Sequence, residues 1–174
     1  MKNVKPKGSG TENCVVLFVC TGNLCRSPLA EGYLKKRLEE KRISGVKVKS
    51  AGTIALDGKP ASEGSIRIAE ENGFDISNHR AQALIHSLVY EADLVIVMEE
   101  LHKQCVVGMD PAAEGKTYLL MDFSRLASPG SSVFDPYGRD YDAYRLAFEQ
   151  IREGVEGLLE KIEKERLCEE FRDD

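Results

Sequence analysis

No stretch of this chain is apolar for the roughly 20 residues that a membrane-spanning helix needs, so no span is expected. Met1 to Gly10 is basic and carries small residues, but it lacks the apolar centre of a secretion signal and reads as a tail. Basic charge is not in excess: 24 Lys and Arg against 29 Asp and Glu leave a net charge of −5, which argues against a general nucleic-acid binder. The five cysteines form no Cys-x-x-Cys pair and no disulfide framework, which points to a reducing, cytoplasmic setting and to no metal or other cofactor. Cys14, Cys105 and Cys168 read as passive. No internal repeat is visible. At 174 residues and 42% hydrophobic content the chain is expected to form one domain with a full core.

What is present is concentrated in one run, Val16-Leu17-Phe18-Val19-Cys20-Thr21-Gly22-Asn23-Leu24-Cys25-Arg26-Ser27-Pro28. An apolar, strand-like segment ends at Cys20, and Arg26 opens a helical pattern. Cys and Arg in this spacing across a tight loop can wrap a single tetrahedral oxyanion. Inward-folded N–H groups make an anion nest, and the helix dipole adds to it. Thiols at a helix N-terminus beside arginine ionise below neutrality, and the thiolate is the nucleophile. Gly22 and Asn23 tolerate the positive φ that such folding demands. The planar fork of Arg26 matches two oxygens at once, a geometry lysine does not offer. Ser27 is placed to donate to the Cys20 sulfur, and Pro28 suits a first helical turn. A nucleotide-binding loop is excluded, because no Gly-Lys-Ser/Thr follows.

The rest of the chain reads as a scaffold. Val15 to Val19, Val46 to Ser50, Asp93 to Met98 and Thr117 to Met121 have the composition of strands. Between them, Leu29, Ala30, Tyr33, Leu34 and Leu38 repeat at helical spacing. Ser62 is a cap for a helix carrying Ile66 and Ala69 that Gly73 stops, and a short helix is expected from Glu99 to Val107. Tyr144, Phe148, Ile151, Val155, Leu158 and Ile162 form one stripe of a long helix from Tyr141 to Lys164, and its aromatics read as core. This alternation predicts an α/β fold, a four-stranded parallel sheet with helices on both faces and the oxyanion loop after the first strand. The expected layout is a tail over residues 1–13, one domain over 14–165 and a charged end over 166–174.

Thiolate attack on a phosphate ester also needs a proton for the leaving group. Asp135 stands out because Pro136 restricts its backbone, within a loop-like segment from Ser128 to Gly138, yet a plain Asp-Pro turn fits the residues equally well. His79 alone reads as a turn residue, and His86 and His102 as surface residues.

The loop, together with Ser50-Ala51-Gly52-Thr53, Ser77-Asn78-His79-Arg80-Ala81 and Asp135-Pro136-Tyr137, closely resembles the low-molecular-weight protein tyrosine phosphatases over nearly the whole chain. The resemblance implies catalysis by Cys20, Arg26 and Asp135, the last as general acid. It implies substrate contacts from Thr21, Gly22, Asn23, Leu24, Cys25 and Ser27, with Tyr137 walling the slot. It makes His79 a support of the loop asparagine. The implied partner is a phosphorylated protein, with neither nucleic acid nor membrane. Phosphotyrosine is the expected substrate, since in that family a bulky aliphatic residue at the place of Leu24 goes with tyrosine phosphatases and threonine with phosphoarginine phosphatases. Gly138 favours the phosphoarginine alternative. Arsenate reduction is a more distant one, because Cys105 stands alone where such enzymes need a resolving pair. The spacing of Cys20 and Cys25 around one anion also suggests a reversible disulfide between them under peroxide.

Overall fold

The computed structural model describes residues 14–165, so the tail and the charged end expected at the termini lie outside the described residues. Four strands, β1 (Cys14–Cys20), β2 (Val46–Gly52), β3 (Leu94–Val97) and β4 (Thr117–Leu119), form one sheet in the order β2-β1-β3-β4, with every pairing parallel. Among the described residues five α-helices accompany them: α1 (Arg26–Glu40), α2 (Glu63–Glu71), α3 (His86–Glu91), α4 (Glu100–Met109) and α5 (Tyr141–Glu165).

The strand period of two explains how one short run serves both layers. Val16, Phe18 and Cys20 of β1 point into a core shared with α1, α2 and α5, while Leu17 and Val19 point into a second core shared with α3 and α4. All five residues are buried, as β1 must be when neighbours pair on both edges and helices cover both faces. The stripe Tyr144, Phe148, Ile151, Val155, Leu158 and Ile162 on α5 is buried in the first core. The chain runs outward from β1 to β2 and then returns past β1 to β3. The carboxyl ends of β1 and β3 therefore flank the point where the winding reverses, which is where a doubly wound sheet opens its crevice.

Several local expectations needed correction. The segment from Thr117 leaves strand geometry after Leu119 and closes as a 3₁₀ turn, Leu120–Phe123, which buries Leu120 and Met121. Helix α3, six residues long, is too short to show a period in the sequence. Ser62 does occupy the N-cap of α2, but its side chain makes no cap bond; its Oγ donates to Ser65 Oγ at 3.0 Å instead. Cys14 is disulfide-bonded, against the expectation that the cysteines form no disulfide. Cys20, Cys25 and Cys105 are free, and Cys105 is exposed on α4. Among the described residues no helix is long and apolar enough to cross a membrane.

Candidate active site

The loop from Cys20 to Arg26 joins β1 to α1, and its carbonyl groups are held from outside. Cys20 O accepts from Thr53 N at 3.0 Å, Thr21 O from Ile54 N at 2.9 Å and Leu24 O from Ser62 N at 2.8 Å. Asn23 O accepts from His79 Nε2 at 2.8 Å, which fixes the proton of that ring on Nε2, and Cys25 O accepts from Ser65 Oγ at 3.3 Å. In a trans peptide the N–H points opposite to the C=O. Anchoring these carbonyls outward therefore turns the N–H groups of Thr21, Gly22, Leu24, Cys25 and Arg26 toward the inside of the loop. This is the nest that favours an anion. Helix α1 starts there with no side-chain cap, so its first N–H groups and its dipole are directed to the same point. Asn23 takes φ 55°, whereas Gly22, also expected in the left-handed region, does not.

A relay of side chains reaches the sulfur. Asn23 Nδ2 donates to Ser27 Oγ at 2.8 Å and to Ser50 Oγ at 2.9 Å, and its Oδ1 accepts from Gln82 N at 2.9 Å. Ser27 Oγ lies 2.9 Å from Cys20 Sγ. Because Ser27 already accepts from Asn23, its own proton is free to be donated to the sulfur. Asn23 and Ser27 are fully buried, which shields the bonds from competing water.

Arg26 is also buried, with 2% of its side chain exposed, and a buried guanidinium needs partners for its donors. Nη1 donates to Glu99 Oε1 and, at 3.2 Å, to the carbonyl of Val133. Nη2 lies 3.2 Å from Asp135 Oδ2. The segment carrying Asp135 is fixed at its base by Val133 N donating to Met98 O at 2.9 Å and Phe134 N to Gln150 Oε1 at 2.8 Å. Asp135 Oδ1 accepts from Tyr137 N at 3.2 Å, and half of the Asp135 side chain remains exposed, so the carboxyl faces the cleft from its rim.

That cleft, about 240 Å³, has Cys20, Thr21, Gly22, Cys25 and Arg26 at its floor and Asp135 at one side. Leu24, Ile54, Leu56 and Tyr137 make the remaining walls. Ile54, Leu56 and Tyr137 are 76%, 64% and 65% exposed, an apolar rim around a charged floor. Among the described residues no group of His, Cys, Asp and Glu is arranged to hold a metal ion.

This geometry is accompanied by a family match: residues 15–167 fit the sequence model of the low molecular weight phosphotyrosine protein phosphatases. The chain belongs to this family. It is therefore a cysteine-dependent phosphatase of the low-molecular-weight type. It is 38% identical over 147 residues to the probable low molecular weight protein-tyrosine-phosphatase EpsP of Ralstonia nicotianae, covering 84% of this chain and 94% of the relative. It is 35% identical over 151 residues to the protein-arginine-phosphatase of Geobacillus stearothermophilus, covering 87% and 97%. The solved low molecular weight protein tyrosine phosphatase from T. tengcongensis superimposes with a TM-score of 0.78 at 37% identity, covering 85% of this chain and 99% of the other.

Four residues of this phosphatase site escaped the sequence reading. Glu99 follows β3 and meets Arg26; Ile54 and Leu56 follow β2 and wall the cleft. The fourth is His102, expected at the surface but 1% exposed, with Nε2 2.8 Å from Thr21 Oγ1. Burial, and next the positive charge of Arg26, lower its pKa from 6.5 to about 4, so the ring is neutral at physiological pH. Helix α4 buries this face against the sheet, whereas a single histidine on a short helical pattern gives no sign of which way it turns. His86, by contrast, is exposed.

Behind the loop wall, Cys25 is buried and its thiol donates to Ser62 Oγ at 3.1 Å, with Tyr144 OH 3.6 Å away. Burial raises its pKa, against the two hydrogen bonds. The phosphatase thus holds a second, protonated thiol in the same loop as Cys20.

Proposed function

We propose that the protein hydrolyses phosphotyrosine in phosphorylated proteins through a cysteinyl-phosphate intermediate. In the first displacement the Cys20 thiolate attacks phosphorus in line, while Arg26 and the inward N–H groups hold the charge growing on the equatorial oxygens. Asp135 protonates the departing phenoxide. In the second, water attacks the cysteinyl phosphate with Asp135 as base, and Ser27 stabilises the sulfur as it leaves. His79 supports Asn23 from outside the loop. A reducing cytoplasm would keep Cys20 active, and the disulfide at Cys14 stands against that setting.

The observation carrying the choice of substrate is the wall: Leu24, Ile54, Leu56 and Tyr137 surround the approach to the sulfur with apolar surface. A phosphotyrosine ring is flat and apolar and gains from lying between aliphatic and aromatic faces, by about 0.5–1.5 kcal/mol for an aromatic pair beyond area burial. A phosphoarginine head group presents N–H donors that this wall leaves unpaired. The alternative has its own support in Gly138, which takes φ 73° directly after Asp135-Pro136-Tyr137, and in the likeness to the Geobacillus arginine phosphatase. Steady-state assays on phosphotyrosine and phosphoarginine, without added metal, decide between them. Wild type is expected to favour phosphotyrosine in kcat/KM, and Leu24→Thr to move the ratio toward phosphoarginine. A wild-type preference for phosphoarginine would overturn the assignment whatever the variant does.

A further inference from the structure

Helix α4 meets the phosphate loop at both of its limbs. Glu99, at the N-cap of α4, holds Arg26, where the loop ends. His102, one turn further on, meets the hydroxyl of Thr21, the first residue after the nucleophile. Thr21 lines the floor of the cleft beside Cys20. The other limb contacts on Thr21 are to its backbone, through Ile54 N. His102 is thus the partner that fixes the Thr21 side chain.

Packing alone does not account for this histidine. Its Nδ1 is buried and has no hydrogen-bond partner among the described residues. An unpaired buried nitrogen is a cost that an apolar side chain of similar size avoids. What the ring provides in return is the bond from Nε2. The ring is also neutral, and the charged groups acting on it are Arg26, Glu99 and Asp135, all of them in the catalytic floor or its rim. A neutral imidazole can hold Thr21 without placing a second positive charge beside Arg26.

We propose that His102 is a positioning residue of the phosphatase reaction: through Thr21 it holds the leading limb of the phosphate loop in register with Arg26, which Glu99 holds at the trailing limb. The proposal rests on the phosphatase reading of the site and not on the choice between phosphotyrosine and phosphoarginine. Nest geometry is sensitive to small displacements, and a shift of about 1 Å in a positioned group can lower rate by about 100-fold.

The test uses a pair of substitutions that separates Nε2 from Nδ1. In His102→Gln the amide reaches the place of Nε2; in His102→Asn it reaches only that of Nδ1. Both are assayed on p-nitrophenyl phosphate in the full-length protein, with binding of inorganic phosphate measured by calorimetry and Tm recorded. His102→Asn is expected to lose between about tenfold and 100-fold in kcat and to bind phosphate more weakly, with His102→Gln close to wild type in both. Thr21→Val should reproduce the loss, and the double variant Thr21→Val/His102→Asn should be no worse than either alone. Equal activity and phosphate affinity in His102→Asn and His102→Gln, or losses that multiply in the double variant, would overturn the proposal even if both variants melt early. Wild-type protein that binds phosphate but does not turn over would instead count against the functional reading.

Discussion

At the scale of single residues, the site divides into what a contiguous run can reveal and what only folding brings together. Cys20, Arg26 and Ser27 are legible because strand, loop and helix start follow one another, and each has a stated task at its spacing. Glu99, His102, Ile54 and Leu56 come from other strand ends, so no local pattern names them. Asp135 lies between the two cases: its proline restricts it, but its place beside Arg26 depends on Val133 and Phe134 being tied to Met98 and Gln150. If it is the acid, Asp135→Asn should slow phenyl phosphate far more than p-nitrophenyl phosphate, by up to about 10²–10⁴-fold on the poorer leaving group. Equal losses on both would assign the proton to another residue. Cys25 carries a second residue-level prediction. Its thiol is buried, bonded to Ser62 and held protonated, so it is a poor first target for peroxide and a candidate to attack Cys20 once that sulfur is oxidised to the sulfenic acid. The two sulfurs then form a disulfide and the sulfenic oxygen leaves as water. Peroxide-treated wild type should show a Cys20–Cys25 bridge by mass spectrometry and recover with dithiothreitol. Cys25→Ser should lose activity irreversibly, and full recovery in that variant would discard the switch.

At the scale of elements, periodicity located the strands and long helices because their buried faces repeat, but it could not see where neighbours cut them short. β4 ends at Leu119 because Leu120 and Met121 turn inward under α5, and that contact is non-local. The same crowding sets the tolerance of helical glycines, which sequence reading treats alike. Gly108, in the last turn of α4, has nothing within 4 Å of where a Cβ would stand. Gly157 in α5 would place a Cβ 1.9 Å from the carbonyl oxygen of Phe123. Gly108→Ala should therefore stabilise by up to about 0.5–1 kcal/mol through helix propensity. Gly157→Ala should destabilise, because backbone has to move. Urea unfolding measures both, and a shift of the same sign in the two variants would contradict the account.

At the scale of the whole molecule, strand–helix alternation made the parallel sheet and its two helical layers legible, and the crevice followed from where the winding reverses. What alternation could not convey is that one loop is gripped from both layers, by His79 and Ser62 on one side and by Glu99 and His102 from α4. The burial of His102 that accompanies this grip makes the stability of the fold depend on pH. Its pKa is about 4 in the folded protein against 6.5 for the free group, lowered first by burial and then by Arg26, with Glu99 and Asp135 opposing. Between these values the unfolded chain binds a proton that the folded chain refuses, so the contribution is whole above pH 6.5 and is lost as pH falls to about 4. A shift of this size corresponds to about 3 kcal/mol. Carboxylates titrate in a different window: Glu156, which burial would raise, is lowered overall by Arg37 and Tyr33 from 4.5, so its share is lost mainly below that value. Urea unfolding at about pH 7 and about pH 4.5 separates the two, because most of the histidine contribution disappears across that interval. His102→Gln cannot titrate there, so it should lose about 2–3 kcal/mol less than wild type over the same interval. An equal loss in both proteins would mean that His102 already takes up its proton in the folded state, so that burial and Arg26 do not keep it neutral.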